Sequence, residues 1–407
     1  MINQSWTRYS IVFAGFLLAF LAGVAYAWGP MVVPLVERFD WTMTEAAMPF
    51  TIFFLVFALV MVPAGRMQDT IGPKKTCLLG AVFIALGFGG AALVGHFPYP
   101  WWLFLTYGFT GGIGAGTIYA CVAPPVRKWF PDSPAFAISC AVMGVGLAGT
   151  FVAPVKARYL IPVYGVEGTL VLIAVIGFAM CLLAVWIIKN PAEGVLQTGT
   201  ATPARKRKVA SAPDVSPREV LLKPIFWVMW LAFGVVIAGG MLCAALITPF
   251  GRLVMGLSAT EAATAVAIFS GFNGFGRPIA GYLSDKFGTV RVMAVSFAVQ
   301  AVTLFLFNVI AVSAVTLYMA AALVGWGLAV VLATFPALTA AAFGTKHLGV
   351  NYGLVFTSLA FGAFMPAAGA AIYDATGNFT PAFLIAGSLA TVGVGLCLVL
   401  KHKFNLA

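Results

Sequence analysis

The sequence predicts an all-α membrane protein: twelve transmembrane helices in two six-helix bundles related by a pseudo-two-fold axis. Three observations predict it. The composition is too apolar for a soluble chain, spanning-length apolar stretches follow one another almost without a break, and a loop motif recurs at the corresponding place in each half. Of 407 residues, 62% are hydrophobic and 9% charged, and the mean hydropathy is +1.02. Soluble chains carry about 25% charged residues, so much of this surface must face lipid instead of water.

A helix needs about 20 apolar residues to cross the hydrocarbon core. Such stretches fall at 9–36, 43–65, 76–95, 100–126, 134–155, 163–188, 224–250, 259–283, 291–311, 313–342, 348–372 and 379–400. Twelve crossings put both termini on one side, and charge says which. Of the 23 Lys and Arg, only Arg38, Lys156, Arg158 and Arg252 fall in loops of the opposite side, and only Arg277 falls inside a span. The rest cluster with the termini, so both termini are expected in the cytoplasm, in a multi-pass inner (plasma) membrane protein. The net charge of +11 then reflects topology and contact with anionic lipids, and no nucleic-acid partner is expected.

The first span starts near Tyr9 and is too long for the apolar core of a cleavable leader. The six cysteines form no CxxC pair, and His96, His347 and His402 stand far apart at loops or span ends. No metal site and no cofactor are expected.

Residues 190–223, rich in Pro, Ala, Ser and Thr around a basic run at 205–208, read as a cytoplasmic linker. It divides an N-terminal bundle, 1–189, from a C-terminal bundle, 224–407. The halves share a motif. Gly65, Asp69 and Gly72 in "GRMQDTIG" match Gly281, Asp285 and Gly288 in "GYLSDKFG". Each G-x-x-x-D-x-x-G joins the second and third span of its half. The first glycine is expected to let helices pack closely, the Asp to meet helix ends and basic groups, and the last glycine to make the tight turn. Both loops are expected to act as conformational switches.

With these loops, the twelve spans and the central linker, the whole chain resembles the major facilitator superfamily. Within it, "GTIYACVAPPVRKWFPDSPAFAISCAVMGVGLAG" and "GFNGFGRPIAGYLSDKFG" are similar to the monocarboxylate transporters and oxalate–formate antiporters. The resemblance implies a monomeric secondary carrier working by alternating access about a site between the halves. The implied cargo is a small monocarboxylate of the L-lactate or pyruvate type, moved with protons. An oxalate–formate type exchanger is the alternative.

Arg277 is the first candidate site residue. A charge within a span is tolerated where it faces a cavity or a partner, and Asp285 lies roughly 12 Å further along the helix axis. A guanidinium binds a carboxylate through two parallel hydrogen bonds, and the family's matching Arg binds the substrate carboxylate. Asn273 falls on the same helix face, at the place where animal monocarboxylate transporters carry an Asp. Tyr119 lies just beyond a Gly108, Gly112, Gly116 ridge suited to close helix contact, and matches a site tyrosine of the antiporters. Tyr26 and Trp28 lie in "GVAYAWGP", which resembles the aromatic first-span segment of the family. The family's first-span Lys maps to Pro30. Phe335, Phe356 and Leu359 are expected to form an apolar wall. Leu359 stands where dicarboxylate antiporters carry a Lys, so one cation remains, which suits a monoanion with an apolar tail. No acidic residue lies deep in a span. Glu261 and Asp374, near outer span ends, are the remaining candidates for proton coupling, while Asp69, Asp132 and Asp285 lie at the inner surface. An enzyme would need a His, Cys, Asp or Glu constellation within the spans, and the sequence holds none.

Overall fold

The computed structural model describes residues 2–130, 134–191, 214–344 and 347–404. Asp132 and most of the expected linker, including its basic run, lie outside the described residues. Those described form helices and connecting turns that cross the fold twelve times. The passes run over 2–39, Met43–Ile71, Pro73–Gly95, 100–129, 134–160, Ile161–Ile187, Pro224–Leu253, Ala259–Phe287, 289–310, Ala314–Phe343, Leu348–Thr376 and Thr380–Phe404. Eight continuous helical stretches among them are long and apolar enough to cross a membrane, and one, Phe136–Ile187, holds two passes. The remaining passes are broken or less apolar.

Local chemistry sets the ends and breaks. Passes two and eight each begin with a capping box, Thr42 with Glu45 and Ser258 with Glu261, in which side chain and backbone satisfy one another's exposed donors. Gly72 and Gly288 close the same two helices with φ of 86° and 92°, in the region that favours glycine, as the tight-turn reading requires. The first glycines of the two motifs differ from expectation. A Cβ on Gly65 or Gly281 would meet open space, so neither serves close packing in this conformation. The Gly108, Gly112, Gly116 ridge does. A Cβ at Gly112 or Gly116 would stand 2.7 or 2.9 Å from the carbonyl oxygens of Phe53 or Phe57, which seats pass four directly on the backbone of pass two.

Pass one is not one smooth helix. Its α-helix Ile2–Gly23 gives way to a 3-10 turn, Val24–Ala27, and resumes as Gly29–Phe39. Pro30 carries no N–H, and Met31 N–H donates to the Trp28 carbonyl at 2.8 Å. The Ala27 carbonyl is thereby left for another donor, which proves to be Lys156.

The halves meet along passes five and eight, which run antiparallel. Arg277 Nη1 donates to the Val142 carbonyl at 2.9 Å near one end of the seam, and Thr150 Oγ1 donates to the Ala267 carbonyl at 3.1 Å near the other. Between them Gly146 faces Gly274 so closely that a Cβ on Gly146 would lie 2.4 Å from Gly274 Cα. At the end away from the G-x-x-x-D-x-x-G loops, two polar ties also join the halves. Arg252 pairs with Glu37 at 3.2 Å, and Asp374 accepts the Met43 and Thr44 N–H groups, each at 2.8 Å, together with the Thr44 hydroxyl.

The seam predicts opposite signs for one substitution at two glycines. Gly146→Ala must push backbones apart and should cost about 1–3 kcal/mol. Gly395→Ala, where a Cβ meets nothing within 4 Å, should be neutral or stabilising by about 0.5–1 kcal/mol. Thermal unfolding midpoints in detergent check this, and equal responses would contradict the seam.

Candidate functional site

A small cavity lies between the halves beside Arg277. Ala22 and Tyr26 of pass one, Phe54 and Phe57 of pass two, and Tyr119 of pass four line one side. Val145, Arg277, Leu332, Phe356 and Leu359 complete it. Its open space is about 20 Å³, roughly room for one water, so the halves are drawn tightly around it.

Arg277 is only 3% exposed. Its Nη1 is held by the Val142 carbonyl of the other half, and its Nη2 donates weakly to Asn273 Oδ1 at 3.4 Å. Nε has no acceptor, and neither does Asn273 Nδ2 nearby. Among the described residues no carboxylate lies within ion-pair distance of the guanidinium. A buried cation without a counter-charge, with a donor left over, is a costly arrangement. Tyr26, Tyr119 and Tyr352 all stand within electrostatic reach of it. The chemistry on offer is a bidentate place for one anionic group, with aromatic hydroxyls beside it and an apolar wall opposite.

That wall is an aromatic chain crossing between the halves. Tyr119 packs on Phe57 at 5.4 Å, Phe57 on Phe356 at 6.2 Å, and Phe356 on Tyr352 at 5.7 Å. Phe335 does not line the cavity. It lies behind it, edge-on to Phe233, which in turn meets Phe356. Trp28 also points elsewhere: its indole N–H donates to the Ala46 carbonyl at 2.9 Å and its ring packs on Tyr107 within the first half. Asn273 is fully buried and touches the site through Arg277.

The two carboxylates expected near the outer span ends are not in the cavity. Glu261 closes its own capping box with Ser258, and its backbone carbonyl accepts the Tyr318 hydroxyl. Asp374 ties the halves: its carboxylate takes the first two N–H groups of pass two, while Thr42 takes the third. In the first G-x-x-x-D-x-x-G loop, Asp69 accepts from Gln68 Nε2 at 2.9 Å.

Some residues in and around the cavity lay outside the sequence reading. Tyr352 stands one helical turn before Phe356, a spacing that could have found it. Phe54 and Phe57 fall on one face of pass two at helical spacing. The Val142 carbonyl carries no sequence signal, because it is backbone.

The model of the Major Facilitator Superfamily matches residues 11–279 and 254–405. The chain belongs to that superfamily. Major facilitator proteins are membrane transporters, and this chain is a multi-pass transporter, not an enzyme. It is similar to the oxalate:formate antiporter of Oxalobacter formigenes, 29% identical over 97% of this chain and 91% of that one. Monocarboxylate transporter 13 of Rattus norvegicus is 24% identical, over 99% of this chain and 91% of its own length. The fold matches a bacterial homologue of the human lysosomal transporter Spinster, in an inward-facing and unoccupied conformation. The TM-score is 0.66 at 17% identity, covering 97% of this chain and 95% of that one.

The Asp374 tie predicts a shift in the major facilitator equilibrium. Loss of a helix-capping carboxylate costs about 0.5–2 kcal/mol. Asp374→Ala, which removes both acceptor oxygens and the charge, should therefore loosen this end of the carrier. Hydrogen exchange of the Met43 and Thr44 amides should rise about 2- to 30-fold, with the unfolding midpoint nearly unchanged. Unaltered exchange would mean that Asp374 does not hold the halves.

Proposed function

We propose that the protein carries small monocarboxylates of the L-lactate or pyruvate type, together with a proton, across the inner membrane. Its termini are cytoplasmic, it acts as a monomer, and 1–189 and 224–407 rock about the central cavity, joined by the 190–223 linker. One observation carries this reading: among the described residues, Arg277 is buried between the halves with no carboxylate partner and with Nε unclaimed. A substrate carboxylate supplies the missing charge and takes Nε with one terminal nitrogen. Tyr119 and Tyr26 then lie beside the substrate's polar atoms. Phe356 and Leu359 receive its apolar tail.

Leu359 favours a monoanion. A dianion bound there would set its second carboxylate against Leu359, Phe356 and Phe57, side chains that offer no donor to replace its water. The antiporter similarity supports a second reading, exchange of oxalate for formate, which needs a second cation in the cavity wall, where Arg277 is the one cation among the described lining residues.

The translocated unit of one anion and one proton carries no net charge. A membrane potential, worth about 2.3 kcal/mol per charge per 100 mV, should not drive it. In proteoliposomes, labelled lactate uptake should follow an inward proton gradient and ignore a potassium-diffusion potential at equal pH. Oxalate should compete poorly. Uptake that follows the potential instead would exclude symport, and strong oxalate competition would favour the exchanger.

Arg277→Lys should reduce lactate uptake at least about 100-fold while the protein stays folded. A lysine ammonium cannot supply the bidentate fork, and charge-assisted hydrogen bonds are worth about 1.5–3 kcal/mol each. Near-normal uptake by a well-expressed variant would remove Arg277 from the substrate site.

A further inference from the structure

Lys156 is the most deeply buried cation among the described residues. Counting charges along the sequence assigns it to an outer loop, yet its side chain is 0% exposed. Pass five continues as a helix through Val155 and then as a π-helical turn, Lys156–Leu160. That turn directs Lys156 inward instead of into a loop. Its Nζ donates to the Ala27 carbonyl at 3.0 Å, the carbonyl freed by the break in pass one. An ammonium has three donors, and this is its one hydrogen bond.

Lys156 lines neither cavity itself, but residues next to it and to its partner line one each. Ala27 follows Tyr26, whose ring lines the central cavity within electrostatic reach of Arg277. On the other side, Ala157 lines a second cavity of about 260 Å³ between the halves, with Pro30, Pro34, Ile161 and Thr248, beside the Arg252–Glu37 pair. Opening of the halves at that end would bring water to the amine from this second cavity.

Among the described residues no neighbouring acid neutralises it. Of the ionisable groups on the elements packed against the turn, Glu37 pairs with Arg252 and Glu167 with Arg38. Glu261 is held in the Ser258 cap, and Arg158 stacks over Tyr159. Tyr164 is exposed, Tyr26 and Arg277 face the central cavity, and Cys140, Asp285 and Lys286 lie towards the far ends of their helices.

We propose that Lys156 is the proton-carrying group of the transport cycle, taking up one proton from the side facing the larger cavity whenever Arg277 takes up one carboxylate. The inference rests on the symport reading above. With the site empty, a charged Arg277 and a neutral amine give the buried interface one positive charge. With the carboxylate on Arg277 and a proton on the amine, the interface again carries one positive charge. The two intermediate combinations differ: both cations without the anion give two positive charges, and the anion with a neutral amine gives none. Two uncompensated cations are costly in an interior that water does not reach. Anion and proton therefore stabilise one another's binding, and by linkage the effect is reciprocal. When the carboxylate leaves on the other side, the doubled positive charge expels the proton from Nζ to water entering the central cavity. The amine returns neutral.

The test uses the full-length protein in proteoliposomes with lactate as the probe. At one proton per anion, a one-unit pH gradient supports about tenfold accumulation. Lys156→Met and Lys156→Gln are both neutral, and the amide of Gln can still donate to the Ala27 carbonyl. Each should retain lactate counterflow at equal pH and saturating lactate, with a raised KM for lactate. Each should lose accumulation, with the inside-to-outside lactate ratio falling to about 1, and lose lactate-driven acidification of a trapped pH dye. Lys156→Arg, permanently charged, should keep counterflow and lose net uptake. Neutral variants that accumulate lactate normally would overturn the assignment while leaving symport intact. Loss of counterflow in all three variants would also overturn it, as the mark of a purely structural side chain. If the unaltered protein does not accumulate lactate on a pH gradient, symport itself fails, and this inference fails with it.

Discussion

A guanidinium buried between two helical bundles without a counter-ion is the constraint on which the site depends. Arg277 keeps the cost tolerable by reaching across to the Val142 carbonyl of the other half and by leaning on Asn273. These contacts leave Nε unpaired, so the arrangement is one partner short. The space beside it, about 20 Å³, holds no more than a water in this conformation, so a larger partner requires the halves to part. On the proposed function, cargo binding and movement of the halves are linked: a carboxylate that displaces the Val142 carbonyl also removes a hydrogen bond that joins the bundles.

The rest of the interface makes that exchange possible. Glycines bring passes five and eight into backbone contact, so a small movement along the seam changes many contacts together. At the end away from the repeated loops, the Asp374 cap and the Arg252–Glu37 pair are polar ties that water can replace. Such ties give way more readily than an apolar seam does, which suits the end of a carrier that must open. Lys156 sits behind them, where opening would hydrate it.

The sequence discloses the architecture better than the site. Apolar length, charge asymmetry and the repeated loop motif yield all twelve passes, since each follows from a strong physical requirement of the bilayer. Arg277 stands out for the same reason, as a charge where charge is costly. Residues whose placement depends on a local break are harder to read. A 3-10 turn after Gly23 carries the Tyr26 ring to the cavity and leaves Trp28 packed on Tyr107, although the two are neighbours in one motif. A π-helical turn takes Lys156 out of its loop. Close packing at Gly65 and Gly281, expected from the motif, is missing because both face open space. Asp374 looks like a stray carboxylate in the sequence, and only the three-dimensional arrangement brings it to the start of pass two.

The central claim is that Arg277 Nε waits for a substrate carboxylate. The most direct measurement is an experimental structure of the protein loaded with L-lactate. The account predicts carboxylate oxygens about 2.7–2.9 Å from Nε and one terminal nitrogen, with the methyl group against Phe356 and Leu359. Lactate bound elsewhere, with Arg277 still held by Val142 and Nε still unpaired, would contradict it.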